Sequence, residues 1–446
     1  MGLKKNPNTM LKKIFIKTFG CQMNEYDSNR IADLLSTIDY KRIEEVEKAD
    51  CFIFNTCHIR EKATQKVYSD IGKIKKILRD KQSKPLFVLA GCVAQAESSM
   101  VFEKSDFVDI VVGPQAYHKL PELIKNYQSN KTKSFNTNLD VSDKFDSLEN
   151  YKNISSKVSS FITIQEGCDK FCKFCVVPYT RGPEFSRCPD QIYNEVQGLV
   201  DGGTREIILL GQNVSSYKNK DTNLSRLIEK VASIKKLERI RFTTSHPNDF
   251  DEDLINAFKY QDKLMPQLHL PVQSGSNKIL ESMNRKHTRE FYLKLIDKFR
   301  DIKKDIEFSS DFIVGYPGET EKDFEDTLDL VDKVKFSNSY SFVYSQRPGT
   351  PAVDFDQIPK EVSANRLQIL QNKLFDLQRK FNDSKVNSKT KVLVENITKK
   401  GNQFFGRNEY MQPVFIEGNK CTPGQIEIIE VKSSNRHNLW GTVDSN

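Results

Sequence analysis

The amino-acid sequence predicts an α/β protein in three parts: an N-terminal doubly wound parallel α/β domain, a central partial (β/α)6 barrel and a C-terminal small β-barrel. Three observations predict it. A unit of short apolar strand, cysteine and helix-forming stretch recurs three times in the first third; strand and helix signals alternate from Ser159 to Tyr344; and five short strands with glycine-marked turns follow residue 390. A chain of 446 residues has the length for two or three domains. Shifts in composition place them at 1–127, 158–382 and 383–446, with a linker at 128–157.

Composition bounds the class. A hydrophobic share of 37% and a charged share of 29% describe an ordinary soluble protein. The net charge of +8 leans toward a polyanionic partner, because basic faces gain affinity from phosphates by releasing counterions. No uninterrupted apolar run approaches the roughly 20 residues of a membrane span, and the basic start has no apolar stretch behind it that would make a secretory signal. Nine cysteines in this length are too sparse for a disulfide scaffold, and their clustering favours metal binding in a reducing cytoplasm.

In the first third the strands are expected at 14–19, 52–56 and 86–90, each leading into a cysteine: Cys21, Cys57 and Cys92. Strands alternating with helices such as 59–78 indicate a parallel sheet with right-handed crossovers. Open sheets of that kind seat ligands at the carboxyl ends of their strands, so three cysteines scattered along the chain are expected to converge on one site. Three thiolates would leave one iron of a four-iron cluster open; the alternative is three unrelated buried cysteines. His58, beside Cys57, either tunes that site or fills space. A last strand at 109–112 and a helix at 117–127 complete the domain, and the polar stretch 128–157, poor in anchoring hydrophobes, is expected to be a surface linker.

In the central part, strands are expected at 161–165, 206–210, 239–243, 267–270, 308–314 and 339–344. Helices lie between them, including 190–200 and 291–302, where Phe291, Leu295, Phe299 and Ile302 recur at helical spacing. Thr320 and Asp323 form a capping-box start for a helix running to Val334. Six βα units make a barrel shorter than the eight-unit closed form, with functional residues collected at the strands' carboxyl ends.

The first of those ends carries Gly167-Cys168-Asp169-Lys170-Phe171-Cys172-Lys173-Phe174-Cys175, a C-x3-C-x2-C run. Soft thiolates at this spacing can wrap an iron-sulfur cluster from one loop. Three ligands rather than four leave one iron able to bind a small molecule; a zinc clip completed by a distant His or Cys is the alternative. The remaining strand ends carry Gly211-Gln212-Asn213, Ser245-His246-Pro247, Pro271 to Ser276 and Gly315 to Thr320. Polar, glycine-rich turns on one rim suit a cofactor. His246 and His269 are given no proton-transfer role.

After the amphipathic helix 365–382, with Leu367, Leu370, Leu374 and Leu377 on its apolar side, strands are expected at 391–394, 404–407, 413–416, 426–431 and 439–443, as in the small nucleic-acid-binding barrels. Arg407, Lys420, Lys432 and Arg436, with Phe404 and Phe405, are the candidate RNA contacts, against the alternative of a solvated charged face. Cys51 and Cys421 read as structural. Cys188 is unassigned.

The C-x3-C-x2-C loop with an aromatic, Phe174, before its last cysteine resembles that of the radical S-adenosylmethionine enzymes. The continuation Val176 to Gly182, together with Phe19 to Asn24, Asn55-Thr56-Cys57 and Gly91 to Gln95, narrows the resemblance to the methylthiotransferases. The resemblance spans Lys13 to Val443, and the terminal barrel is similar to a TRAM domain.

That family resemblance implies a tRNA-modifying enzyme with S-adenosyl-L-methionine and two [4Fe-4S] clusters as cofactors. The first cluster would sit on Cys168, Cys172 and Cys175, the auxiliary one on Cys21, Cys57 and Cys92. The cofactor's contacts would be Phe174, Gln212, Ser245, Gln273 and Gly315. Reductive cleavage of S-adenosylmethionine would yield a 5'-deoxyadenosyl radical that activates carbon 2 of N6-isopentenyladenosine at position 37 of tRNA for methylthiolation, with no side-chain acid or base required. The auxiliary cluster would supply the sulfur, methylated by a second S-adenosylmethionine. The resemblance also implies tRNA as partner, a flavodoxin- or ferredoxin-type electron donor, a monomer, and no membrane association. Methylthiolation of threonylcarbamoyl-adenosine tRNA or of a ribosomal protein, and a non-catalytic metal-stabilised RNA-binding protein, are the alternatives.

Overall fold

A computed structural model describes residues 11–58, 61–79, 84–140, 144–145, 157–398, 403–418 and 421–444, the side chains of 61–63 excepted. They divide into two units. One is the described part of Met1–Ser155 with Glu166–Asp169 and Cys175–Phe185; the other is the described part of Ser156–Gln165, Lys170–Phe174 and Ser186–Asn446.

The first unit is built on six parallel strands: β1 (Lys12–Thr18), β2 (Tyr40–Arg42), β3 (Cys51–Thr56), β4 (Leu86–Gly91), β5 (Ile110–Val112) and β6 (Ser134–Asn136). Their spatial order is β2-β1-β3-β4-β5-β6. β3 and β4 are buried at every position, which is why they read as unbroken apolar runs: helices cover both faces of a parallel sheet. Alternate side chains go to opposite faces. Ile14, Ile53, Val88 and Ile110 pack with Ile31, Leu34 and Leu120 on one face, while Phe52, Phe54, Phe87 and Val111 pack with Val67 and Ile71 on the other. Cys51 lies in the first of these cores, a structural residue.

Two strands differ from the sequence expectation. β2 and β6 are three-residue edge strands, too short and polar to show alternation. β6 falls within the stretch expected to be a surface linker, and so do Lys144 and Phe145, both fully buried; a chain segment with few hydrophobes is held here by pairing and by charge instead. β2 also has a topological effect. It lies outside β1 while β3 lies on β1's other side, so the strand order reverses between β1 and β3, the crevice where sheets of this type bind ligands.

In the second unit six parallel strands follow one another in chain order. Ser159–Thr163, Glu206–Leu210 and Arg239–Thr243 form one three-stranded sheet, and Gln267–His269, Glu307–Val314 and Asn338–Val343 form another. Ile240 bridges to Leu264 and joins them, giving the open partial barrel that the sequence predicts. Its core holds Ile162, Leu209, Phe242, Leu268, Phe308 and Phe312. The capping box of Thr320 and Asp323 starts the helix Glu321–Val334.

The helix Lys360–Asp383 leads into a closed five-stranded barrel of Lys389–Ile397, Gln403–Asn408, Pro413–Glu417, Ile426–Ser434 and Leu439–Val443. Two guanidiniums dock it. Arg239 donates to the carbonyls of Arg407 (2.8 Å) and Lys391 (2.9 Å), and Arg241 to those of Glu409 and Asn408 (2.8 Å each) while pairing with buried Glu206 at 2.8 Å. Among the described residues no helix is long and apolar enough to cross a membrane.

Candidate functional site

β1, β3 and β4 are neighbours in register, Thr18 beside Asn55 and Thr56 beside Gly91. Cys21, Cys57 and Cys92 follow those three strand ends directly, so parallel pairing brings them together at one edge, with Cys21 and Cys57 flanking the point of reversed strand order. A side-chain hydrogen bond from Cys57 holds the Cys21 thiol down, to about 6, against the crowding that would raise it, and Arg181 adds to the lowering. Cys21 also stands at the N-cap of the helix Gln22–Ser36, where unpaired amides favour a thiolate. Burial pushes the Cys92 thiol up, and the adjacent Arg181 guanidinium pulls it back.

Asn24 ties the loop after β1 to the end of β3. Its Nδ2 donates to the carbonyls of Phe19 (2.8 Å) and Thr56 (2.9 Å), and its Oδ1 accepts from Cys21 Sγ at 3.7 Å and from Arg181 Nη2 at 3.2 Å. Behind Arg181 lies a closed set of four buried charges. Arg181 Nη2 is 3.0 Å from Asp27 and its Nη1 3.5 Å from Glu166; Lys144 Nζ is 2.5 Å from Glu166 and 3.3 Å from Asp27. Two cations thus face two carboxyl groups: burial pushes the Asp27 carboxyl up against the pull of Lys144 and Arg181, while the same two cations hold Glu166 below the usual carboxylate range in spite of its burial.

The C-x3-C-x2-C loop divides between the units: Cys168 and Cys175 group with the first, Cys172 with the second. Gly167, at φ +77, turns the chain against Pro183, whose carbonyl oxygen lies 1.9 Å from where a Cβ would stand, so no other residue fits before Cys168. In the second unit, Lys170 pairs with Asp249 at 2.6 Å, Lys173 N bonds the Met283 carbonyl at 3.0 Å, and Asn284 Nδ2 donates to the carbonyl of Phe171 at 3.0 Å. Arg285 donates to Cys172 Sγ at 3.7 Å and to the Pro271 carbonyl at 2.6 Å. A cation on each of Cys172 and Cys92 suits thiolates, the form that binds metal.

Polar groups without hydrogen-bond partners gather in the second unit: Ser245 Oγ, His246 Nε2, His287 Nε2 and Arg285 Nε are all buried. The two imidazoles meet edge to face at 5.6 Å. Burial pushes both rings well below the usual histidine range, with Arg285 next in effect, so both are neutral. Of the expected cofactor contacts, Phe174 packs beside the cluster of Met283 and Tyr316. Gln212 offers its amide to Gln165 Oε1 (2.9 Å), and Gln273, at φ +76, commits its backbone to the strand through Asp311 and Ile313. Gly315 gives its amide to Glu319 (2.8 Å) and admits Ser363, whose Oγ would be 2.3 Å from a Cβ there; its lack of a side chain serves helix packing.

The expected RNA contacts are distributed unevenly. Arg407 is clamped by Glu395 at 2.5 Å, Lys432 by Glu430 at 2.5 Å. Arg436 lies over the Phe375 ring at 3.9 Å. Lys420 falls outside the described residues. Phe404 is a correction: strand alternation turns it into the barrel core beside Val394 and Ile416. Phe405 instead starts an aromatic row with Phe415 (5.4 Å) and stacked Trp440 (5.8 Å from Phe415), two residues that the sequence reading passed over because they sit on different strands. His58 Nδ1 shares a 3.2 Å hydrogen bond with Thr64 Oγ1. Arg181, Asn24 and Arg285 were equally unreadable: their partners lie 113 to 157 residues away.

Among the described residues no three His, Cys, Asp or Glu side chains close on the small volume of a single ion. Three soft thiolates in each triad are the donor type that iron-sulfur clusters take. None of the nine cysteines is in a disulfide.

Residues 162–331 match the Radical SAM superfamily, and residues 13–113 match the Uncharacterized protein family UPF0004. The chain is 56% identical over 438 residues, 97% of its length and 98% of the relative's, to the tRNA-2-methylthio-N(6)-dimethylallyladenosine synthase of Pelagibacter ubique. It is 50% identical over 445 residues, covering 97% of this chain and 100% of the other, to the protein of that name from Rickettsia typhi. In fold it resembles the radical S-adenosylmethionine methyltransferase TsrM from Kitasatospora setae, solved with cobalamin and a [4Fe-4S] cluster (TM-score 0.56, 13% identity, 77% of each chain). It also resembles the cobalamin-dependent radical enzyme OxsB (TM-score 0.52, 11% identity, 81% of this chain and 56% of that one).

Proposed function

The chain belongs to the tRNA-2-methylthio-N(6)-dimethylallyladenosine synthases of the radical S-adenosylmethionine superfamily, and on that premise we propose that it transfers a methylthio group to carbon 2 of N6-dimethylallyladenosine in tRNA. The observation that carries the reading is the convergence of Cys21, Cys57 and Cys92 at the reversed-order edge of the first sheet, in a chain that also carries Cys168, Cys172 and Cys175 on one loop. In this reading each triad holds one [4Fe-4S] cluster. With S-adenosylmethionine bound, such a cluster supplies the one-electron cleavage that generates a radical able to attack a C–H bond which no side-chain base could deprotonate.

The protein's own residues bind, orient and shield. Arg285 and Arg181 set positive charge against Cys172 and Cys92, and Asn24 holds the loop after β1 against the end of β3. Ser245, neutral His246 and neutral His287 present unpaired polar atoms suited to the amino, carboxylate and ribose groups of S-adenosylmethionine. Phe174, Gln212, Gln273 and Gly315 complete that seat in our assignment.

Residues 1–127 then serve the auxiliary cluster, 158–382 the radical chemistry and 383–446 the tRNA. The terminal barrel grips the nucleic acid through Arg436 and Lys420, with Arg407 and Lys432, each already paired to a glutamate, contributing less, and with bases stacking on the row of Phe405, Phe415 and Trp440. We further assign a monomer, acting in the cytoplasm and reduced by a flavodoxin- or ferredoxin-type donor.

Nucleoside mass analysis of tRNA from cells lacking the protein tests the proposal. The 2-methylthio form should vanish and unmodified N6-dimethylallyladenosine should accumulate in its place; persistence of the 2-methylthio form overturns it. Anaerobic reconstitution with iron and sulfide should load two clusters, and loading of tetrahedral zinc alone would instead indicate a non-catalytic binder.

A further inference from the structure

The run Val176 to Gly182, part of the resemblance to the methylthiotransferases, carries one cation, and that cation is buried. Arg181 is 2% exposed. It ends the short helix Val177–Arg181, which begins two residues after Cys175. Its main-chain carbonyl is held by Gln115 Nε2 at 2.8 Å. Its guanidinium reaches Asn24 Oδ1 (3.2 Å), the same oxygen that accepts from Cys21 Sγ (3.7 Å), and Asp27 (3.0 Å).

We propose that Arg181 is a positioning residue for the Cys21, Cys57 and Cys92 triad: its fixed charge and its hold on Asn24 set how readily the iron-sulfur group on those thiolates accepts an electron. The inference rests on the function proposed above. A reduced cluster carries one more negative charge than its oxidised form, so a nearby buried cation favours the reduced form. Water cannot screen that effect in a low-dielectric interior. The guanidinium is always protonated and is rigid, held from behind by Asp27 and Glu166.

The test uses the full-length chain with Cys168, Cys172 and Cys175 each replaced by Ala, which leaves only the first triad to bind a cluster. Iron and sulfide are reconstituted anaerobically, cluster content is counted, and the midpoint potential is followed by electron paramagnetic resonance in a redox titration. Arg181→Met should lower the potential by at least a tenfold change in the one-electron equilibrium, 59 mV, while Arg181→Lys, which keeps the charge, should recover most of it. Because Arg181→Met alone strands a buried carboxylate, Arg181→Met with Glu166→Gln restores charge balance and should fold while keeping the lowered potential. A well-folded double variant with wild-type potential and spectrum overturns the inference. A parent protein that binds no iron on the first triad would instead overturn the proposed function, so the two failures are distinguishable.

Discussion

A Cβ placed on Gly20 would lie 2.2 Å from the Cβ of Cys57 and 2.8 Å from its Sγ. The residue also adopts φ +101, a conformation that side chains strongly disfavour, so Gly20 is what lets the loop after β1 touch the loop after β3. Gly20→Ala should destabilise the protein by about 1–3 kcal/mol and disperse the triad. Denaturant unfolding reads the first effect. Iron bound per chain, in a background without the other three cysteines, reads the second and should fall even under conditions where the fold persists.

Lys144 is a buried cation in a polar segment, paired with Glu166 and Asp27 beside Arg181. Lys144→Met should cost about 3–5 kcal/mol, the penalty of leaving two buried carboxyl groups to share the single cation Arg181. Lys144→Met combined with Glu166→Gln should recover a large part of that loss in urea unfolding, whereas independent effects would simply add.

His287 gives stability a definite pH dependence. Burial first, and then Arg285, hold its imidazole down to about 4, against 6.5 for an unperturbed histidine. The unfolded chain therefore takes up a proton that the folded protein refuses. The contribution is complete above pH 6.5 and is lost as pH falls from there toward 4, on the order of 3 kcal/mol over that window. His287→Asn should flatten this part of the profile when unfolding free energy is measured in small pH steps on the metal-free protein.

Arg241 both pairs with Glu206 and holds two barrel carbonyls. Burial pushes the Glu206 carboxyl up, but Arg241, aided by Arg239 and Ser159, more than offsets it and holds the group below the usual range. Arg241→Met should therefore loosen the barrel from its dock, raising hydrogen exchange across Gln403–Asn408, and lower stability by about 3 kcal/mol or more.

Of the barrel cations, Arg436 stacks on an aromatic ring and Arg407 is neutralised by Glu395. Arg436→Ala should shallow the salt dependence of tRNA binding by about one phosphate contact, a slope change near 0.7–0.9 in log K against log salt. Arg407→Ala should change it far less. Trp440→Ala should weaken binding by about 1–3 kcal/mol with the slope preserved, as expected for base stacking. Filter or anisotropy titrations at several salt concentrations separate the three.

Much of this architecture was legible in the residues. Apolar runs such as Phe52 to Phe54 and Leu86 to Leu89 announce fully buried strands because a parallel sheet covered on both faces leaves no polar side. Six strand-and-helix units announce the open barrel, and the C-x3-C-x2-C loop announces its candidate donors because they lie within eight residues. Short edge strands carry no such signal: β2 and β6 have three residues each, and alternation cannot be heard in so few. Alternation did mark Phe404 and Phe405 as a strand, but the barrel's closure decided that Phe404 points inward and Phe405 joins the aromatic row.

The sequence by itself determined which residues are chemically able to hold clusters, since thiolate donors, their spacing and the strands before them are local properties of the chain. Only the tertiary structure decided what surrounds those thiols. The edge strand β2 reverses the strand order beside Cys21, Asn24 reaches the end of β3, and Arg181 arrives from 157 residues away to share an oxygen with Cys21. Electrostatic surroundings depend on distance in space, and a buried ion group is built from whichever distant segments the fold brings within a few ångströms, so no local pattern can encode it.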